Sequence, residues 1–139
     1  MKQILLITLG LSVALLADFT KSGNIVTDGT TKLEWQDDAV SSTLGWASAI
    51  DYCENLTLDT HSDWRLPNIK ELTSIVDDTK SHPSIDNTVF QNPPSNSYWS
   101  STTTAGNSSN AWVVYFNYGY QDYNNKTLSN SVRCVRAGQ

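Results

Sequence analysis

Hydrophobic and polar positions divide the chain into stretches of different period. Ile4 to Ala17 is an apolar run broken only by Thr8, Gly10 and Ser12, behind a short start that carries Lys2. The run falls short of the ~20 residues that a transmembrane helix needs. A basic start, an apolar centre and a small residue at the end are the parts of a secretory signal peptide. Residues 1–17 are therefore read as a signal peptide and 18–139 as a single mature domain. Leu15 at minus three departs from the A-x-A pattern, which allows the cut to shift by a few residues. A retained anchor or a buried N-terminal strand is the alternative.

Beyond Asp18 the periods shorten. Asn24 to Asp28 and Leu33 to Gln36 read as strands around a Gly29 to Lys32 turn, predicting a hairpin. Trp46, Ile50 and Cys53 recur at helical spacing with Ala49 between them, so 45–56 is expected to be an amphipathic helix with Cys53 facing inward. Asn68 and Glu71 have the spacing of a capping box, and Ile69, Leu72 and Val76 supply the apolar stripe of a second helix. Pro67 bars that helix from extending upstream. After Asp78 the chain runs through about 20 residues rich in Ser, Asn and Pro, a length that marks a functional or flexible loop. Tyr98 to Ser101 is then a short strand. Ala111 to Tyr118 alternates, with Trp112, Val114, Phe116 and Tyr118 on one face and Val113, Tyr115 and Asn117 on the other. Ser131 to Arg136 is expected to close the chain as a last strand. The order is an N-terminal hairpin, two helices, long loops and a terminal antiparallel sheet, which is an α+β fold.

Composition narrows the function. At 139 residues with 39% hydrophobic and 17% charged side chains, there is material for one core. The net charge is −5, from nine Lys and Arg against fourteen Asp and Glu. Loss of the leader removes Lys2 alone, leaving eight basic side chains and a charge of −6. Phosphate backbones and anionic membrane surfaces need concentrated Lys and Arg, so neither nucleic acid nor stable membrane insertion of the mature chain is expected. Export also gives the cysteines a meaning. In an oxidising compartment Cys53 and Cys134 have each other as partners, and the bridge would close nearly the whole mature domain into one loop. Two buried thiols remain the alternative. Two isolated cysteines lack the ligand density of a zinc site.

At this point seven segments, in order, carry a resemblance: Asn24-Ile25-Val26-Thr27-Asp28; Leu33-Glu34-Trp35-Gln36; Trp46 with Ala49 and Tyr52-Cys53; Asp63-Trp64-Arg65-Leu66-Pro67-Asn68 leading to Glu71-Leu72; Tyr98-Trp99-Ser100-Ser101-Thr102; Ala111-Trp112-Val113-Val114; and Val132-Arg133-Cys134-Val135-Arg136. Together they resemble the C-terminal domain of the Legionella collagen-like adhesin, over nearly all of the mature chain. The resemblance implies a C-type-lectin-like fold in which a cysteine of the first helix pairs with one in the final strand, in agreement with Cys53 and Cys134. Lys32 departs from the family, which often has Gly in that turn. No Gly-X-Y segment is present, so trimerisation through a collagen triple helix is not open to this chain.

Within these motifs most residues read as structural. Trp64, Leu66, Trp35, Trp46, Trp99 and Trp112 fit packing positions, and Arg65 is expected to be a cation paired with Asp63 or Glu71. Ser100 to Thr104 offer hydroxyls, but nucleophilic catalysis needs an activating base. His61 and His82 lie in polar contexts without a G-x-S-x-G turn, so no catalytic residue is expected. Sugar-binding C-type lectins hold calcium through Glu-Pro-Asn or Gln-Pro-Asp and Trp-Asn-Asp, none of which occurs here. Asp37-Asp38 and Asp77-Asp78 are expected to be solvated pairs, and no metal ligand or cofactor is assigned. The segment 117–126 concentrates Tyr, Asn and Gly in what reads as a connection between strands, a composition suited to recognition. Tyr118, Tyr120, Asp122, Tyr123, Asn124 and Asn125 are the candidate ligand-binding residues, with 92–104 as a second candidate surface.

The expected function is an exported, non-enzymatic domain that recognises a glycan or an envelope or surface protein. Its location is periplasmic, at the outer surface or secreted. A structural or assembly subunit of an envelope complex is the competing class. Formylglycine-generating enzymes share the broad fold and a Trp-Arg-Leu-Pro element, but their chemistry uses cysteines that a bridge would occupy here.

Overall fold

A computed structural model describes residues 18–38, 43–91 and 96–138. The expected leader, residues 1–17, and residues 92–95 of the second candidate surface lie outside them. Nine elements follow in chain order: β1 (Phe19–Ser22), β2 (Ile25–Asp28), β3 (Leu33–Gln36), α1 (Trp46–Glu54), α2 (Ile69–Ser74), β4 (Ser97–Thr104), β5 (Asn107–Tyr115), β6 (Tyr120–Asn125) and β7 (Val135–Ala137). They build two antiparallel sheets, β1-β2-β3-β7 and β4-β5-β6. The α+β class and the hairpin of β2 and β3 agree with the sequence pattern.

Helix starts follow local chemistry. The Asn68 side chain accepts from Glu71 N at 2.8 Å, and Glu71 Oε1 accepts from Asn68 N at 2.9 Å, completing the capping box before α2. Glu71 also receives the guanidinium fork of Arg65 at 2.7 and 2.8 Å, the pairing expected for that cation. Asp63 instead holds Arg136. Helix α1 is shorter than expected, ending where Asn55 Nδ2 bonds back to Asp51 O at 2.8 Å.

Several expectations need correction. The closing strand does not join a terminal sheet. Ser131 makes an isolated bridge to Tyr98, residues 132–134 belong to no strand, and of the expected segment only the part from Val135 enters one, β7, pairing with β3 through Trp35↔Val135 and Leu33↔Ala137. The reason is that Ser131 is already held by β4, its N–H donating to Ser97 O and its carbonyl accepting from Trp99 N. Strand β1 was not expected. It is anchored by Phe19 packing edge-on to Phe90 at 5.3 Å and by Lys21 reaching Asp37. Strand β4 is longer than expected, at eight residues, because polar hydroxyl positions continue the ladder. Strand β5 is displaced from the expected 111–118: it starts at Asn107 and stops at Tyr115, and residues 116–119 turn, so Tyr118 leaves the face of Trp112 and Val114 and meets Tyr115 and Tyr120 instead.

The core is two-sided. One cluster gathers Ile25, Ala49, Cys53, Trp64, Leu66, Trp99, Val113 and Cys134. The other gathers Val26, Trp35, Leu72, Ile75, Phe90, Tyr98, Val114 and Val135. Neighbours in sequence such as Tyr98-Trp99, Val113-Val114 and Cys134-Val135 therefore feed opposite clusters, as strand geometry requires when both faces are covered. Cys53 and Cys134 are bonded, with their Cα atoms 5.5 Å apart, tying α1 to the segment that leads into β7.

Asp37 is not the solvated acid its sequence suggests. Its side chain is fully buried and accepts from Lys21 Nζ, from Gln91 N at 2.9 Å and from Arg133 Nη1 at 3.0 Å. The cations arrive from 16 and 96 residues away, beyond the reach of a local pattern. Asp38 takes Gln36 Nε2 at 2.8 Å, and Asp77 caps its own turn at Thr79 N at 2.9 Å.

Lys32 sits at φ +64°, the left-handed region in which a Cβ is strained. That explains why glycine suits this turn. Lys32→Gly is expected to stabilise the domain by roughly 0.5–1 kcal/mol, the relieved strain exceeding the added chain entropy. The check is the urea midpoint, which should rise with an unchanged slope.

Candidate functional site

The candidate residues 120–125 do not form a loop. They are β6, the edge strand of its sheet, paired among the described residues with β5 alone, which leaves its tyrosines exposed. Strand alternation then divides them. Tyr120, Asp122 and Asn124 face one way, opposite Tyr115, Val113 and Ala111; Gln121, Tyr123 and Asn125 face the other, opposite Val114, Trp112 and Asn110. The structure thus gives two surfaces where the sequence suggested one.

On the first surface, Tyr115 meets Tyr118 at 5.9 Å and Tyr120 at 5.4 Å between ring centroids. Tyr118 and Tyr120 stack nearly parallel at 6.3 Å, and both are exposed, at 61% and 49%. His82 packs edge-on to Tyr118 at 4.8 Å. Gly119 makes the arrangement possible. It lies at φ +80°, and a Cβ there would stand 2.8 Å from Val76 Cγ1 and 3.0 Å from Ser84 Oγ. Tyr115 continues into a pocket of about 320 Å³, whose other walls are Thr43, Asn96, Ser97, Ser129, Asn130 and Ser131. Asn124 joins this side by donating from Nδ2 to Asn130 Oδ1 at 3.1 Å.

On the second surface, Trp112 and Tyr123 meet edge to face at 6.0 Å. They wall a cleft of about 400 Å³ completed by Thr104, Ala105, Gly106, Asn107 and Asn110. Trp112 was expected to be core, but it is half-buried and lines this cleft, since its cross-strand partner is an exposed edge residue. Trp46 is also half-buried, with Lys126 Nζ 4.0 Å from its ring centroid. Trp35, Trp64 and Trp99 are buried as expected. Gln121 is tied down by donating to Thr73 Oγ1 at 2.9 Å. Asp122 spends an oxygen on its own strand, accepting from Tyr123 N at 2.8 Å on the free edge of β6. Register is the signal that sequence reading missed, because it decides which tyrosines share a face.

The hydroxyls near β4 are structural. Ser100 is buried, donates from Oγ to Trp112 O at 2.7 Å and accepts from Thr102 N at 3.2 Å. His61 is half-buried with its carbonyl taken by Trp64 Nε1, and His82 is on the surface. Charge is managed in pairs away from both surfaces: the Arg65 fork holds the Glu71 carboxyl below its usual range, and Asp63 and Glu34 hold the Arg136 guanidinium above its own. Among the described residues no His, Cys, Asp or Glu group is placed to bind a metal, and no helix is long and apolar enough to cross a membrane.

These elements define a small α+β domain of two antiparallel sheets, closed by one disulfide and carrying exposed aromatic side chains on an edge strand. The chain belongs to the Lcl C-terminal domain family, whose profile matches residues 24–136. No curated protein matches it.

Proposed function

We propose that this is an exported, non-enzymatic binding domain of C-type-lectin-like fold that recognises a glycan or a surface protein through the β5–β6 face. The observation that carries this reading is the concentration of exposed aromatics on one edge: Tyr118, Tyr120 and Tyr123 are 61%, 49% and 56% exposed. Tyrosine offers contact area at small entropic cost, and amides beside it supply adaptable hydrogen bonds. Membership of the Lcl C-terminal domain family supports a surface, adhesin-associated role. The bonded cysteines fit an oxidising compartment.

Glycan-array screening together with pull-down from an envelope extract tests the proposal. Tyr120→Ala and Tyr123→Ala should each leave the fold intact, and at least one should weaken saturable binding tenfold or more, as aromatic anchors do. Because the two tyrosines lie on opposite faces, the variant that fails identifies the working surface. Binding undiminished in the double variant would sink the proposal.

A further inference from the structure

Asn130 is a buried amide with half of its hydrogen bonding complete. The residue is 8% exposed, and its Oδ1 accepts from Asn124 Nδ2. Its Nδ2 is buried and has no hydrogen-bond partner among the described residues. A donor left in that state is costly, and native proteins seldom keep one without a use. Asn130 also lines the pocket beside Tyr115. Its backbone is fixed there by a reciprocal pair of bonds with Leu44, at 2.9 and 3.0 Å, and Ser131 next to it is fixed by Ser97 and Trp99. The pocket wall is therefore rigid, and the amide is held in place by Asn124 rather than free to turn.

The chemistry of the lining selects a class of ligand. Ser97, Ser129, Ser131 and Thr43 bring hydroxyls that donate and accept, Asn96 and Asn130 bring amides, and Tyr115 brings an aromatic wall that Tyr118 and Tyr120 extend outward. Among the described residues no charged side chain lines it. With a chain net charge of −5, a sulfated or phosphorylated ligand would gain no partner here and would meet repulsion. A neutral sugar offers hydroxyl oxygens for the amide and serines and an apolar ring face for the tyrosines. A pocket of about 320 Å³ has room for one or two sugar units.

Resting on the proposed recognition role, we infer that the Asn130 pocket is a subsite for an uncharged saccharide, with Asn130 Nδ2 donating to a sugar oxygen and Tyr115, Tyr118 and Tyr120 forming the stacking wall. Asn124 is a positioning residue that orients the Asn130 amide. The pocket rim is exposed at Thr43, Asn96 and Ser129, which leaves the ligand its way in.

The experiment uses the mature chain on a panel of neutral oligosaccharides, comprising glucans, galactans, mannans and N-acetylhexosamine oligomers, beside a matched sulfated and sialylated panel. Binding is expected on the neutral panel. Titration with the best neutral oligosaccharide should move the ¹H–¹⁵N signals of the Asn130 side-chain amide. Asn130→Asp keeps the acceptor for Asn124 and removes the donor, and should weaken binding at least tenfold. Because that change puts a charge in a buried place, Ser129→Trp provides an independent check, filling the pocket from its exposed rim with the core untouched. Neutral-sugar binding that survives Ser129→Trp, with an unmoved Asn130 amide, overturns the subsite. If Tyr123→Ala abolishes that same binding, the recognition role itself stands and has its seat in the Trp112 cleft. Preference for the charged panel overturns the ligand class, and no saturable binding on either panel overturns this subsite together with glycan recognition.

Discussion

Replacing Cys53 and Cys134 together by Ala is expected to remove about 4–5 kcal/mol of stability. The bond joins residues 81 apart, and chain-entropy arithmetic gives about that value for a loop of this length. Both residues have no exposed surface and pack among Ile25, Ala49, Trp64 and Val113, so alanine leaves apolar contacts and no buried hydroxyl. Domains are stable by only about 5–15 kcal/mol, so the loss takes from about a third to nearly all of the total. Urea unfolding of the wild type with and without reductant gives the check. Equal midpoints would mean two thiols that contribute as small hydrophobes and nothing more.

Asp37→Asn is expected to cost about 3–5 kcal/mol, because it leaves the buried Arg133 guanidinium facing a neutral amide. Arg133 is 5% exposed and lies over the Phe90 and Tyr98 rings at 5.1 and 5.7 Å, so water cannot replace the lost carboxylate. The same site sets the acid limit of the fold. Burial pushes the Asp37 carboxyl upward, but the hydrogen bonds from Lys21, Gln91 and Arg133 together outweigh it, and its folded value lies below the ordinary one. A depressed carboxyl stabilises the fold above the unfolded value of about 3.9, and that contribution disappears as pH falls through the lower folded value. Denaturant midpoints between pH 2 and 7 should fall on the acid side for the wild type and show a shallower acid limb for Asp37→Asn. Identical acid limbs would move the acid sensitivity to other carboxylates.

How far the sequence could be read depends on the distance over which each feature is determined. The capping box at Asn68 and Glu71 lies within four residues, and it was legible. So was the hairpin, whose turn is local, and the cysteine pair, for which count leaves one pairing. Phe19–Ser22 was missed because a four-residue polar-apolar segment acquires its role from Phe90 and Asp37, both far along the chain. Tyr120–Asn125 reads in sequence as a connection because an edge strand exposed on both faces shows no burial alternation. The composition of 117–126 points to the candidate tyrosines, but their division between two faces follows from the pairing of Tyr115 with Tyr120 and of Trp112 with Tyr123. Asn130 gave no signal, since an amide next to serines reads as loop until its partners are placed around it.

The bond from Tyr123 N–H to Asp122 Oδ1 has a bearing on how copies of this domain behave when crowded. An open strand edge is a template onto which a neighbouring chain can zip its own backbone. Here a donor on that edge is already satisfied by the adjacent carboxylate, and the carboxylate's negative charge repels an identical edge brought against it. Asp122 thus opposes backbone pairing between copies of the β6 edge while the β6 tyrosines stay exposed.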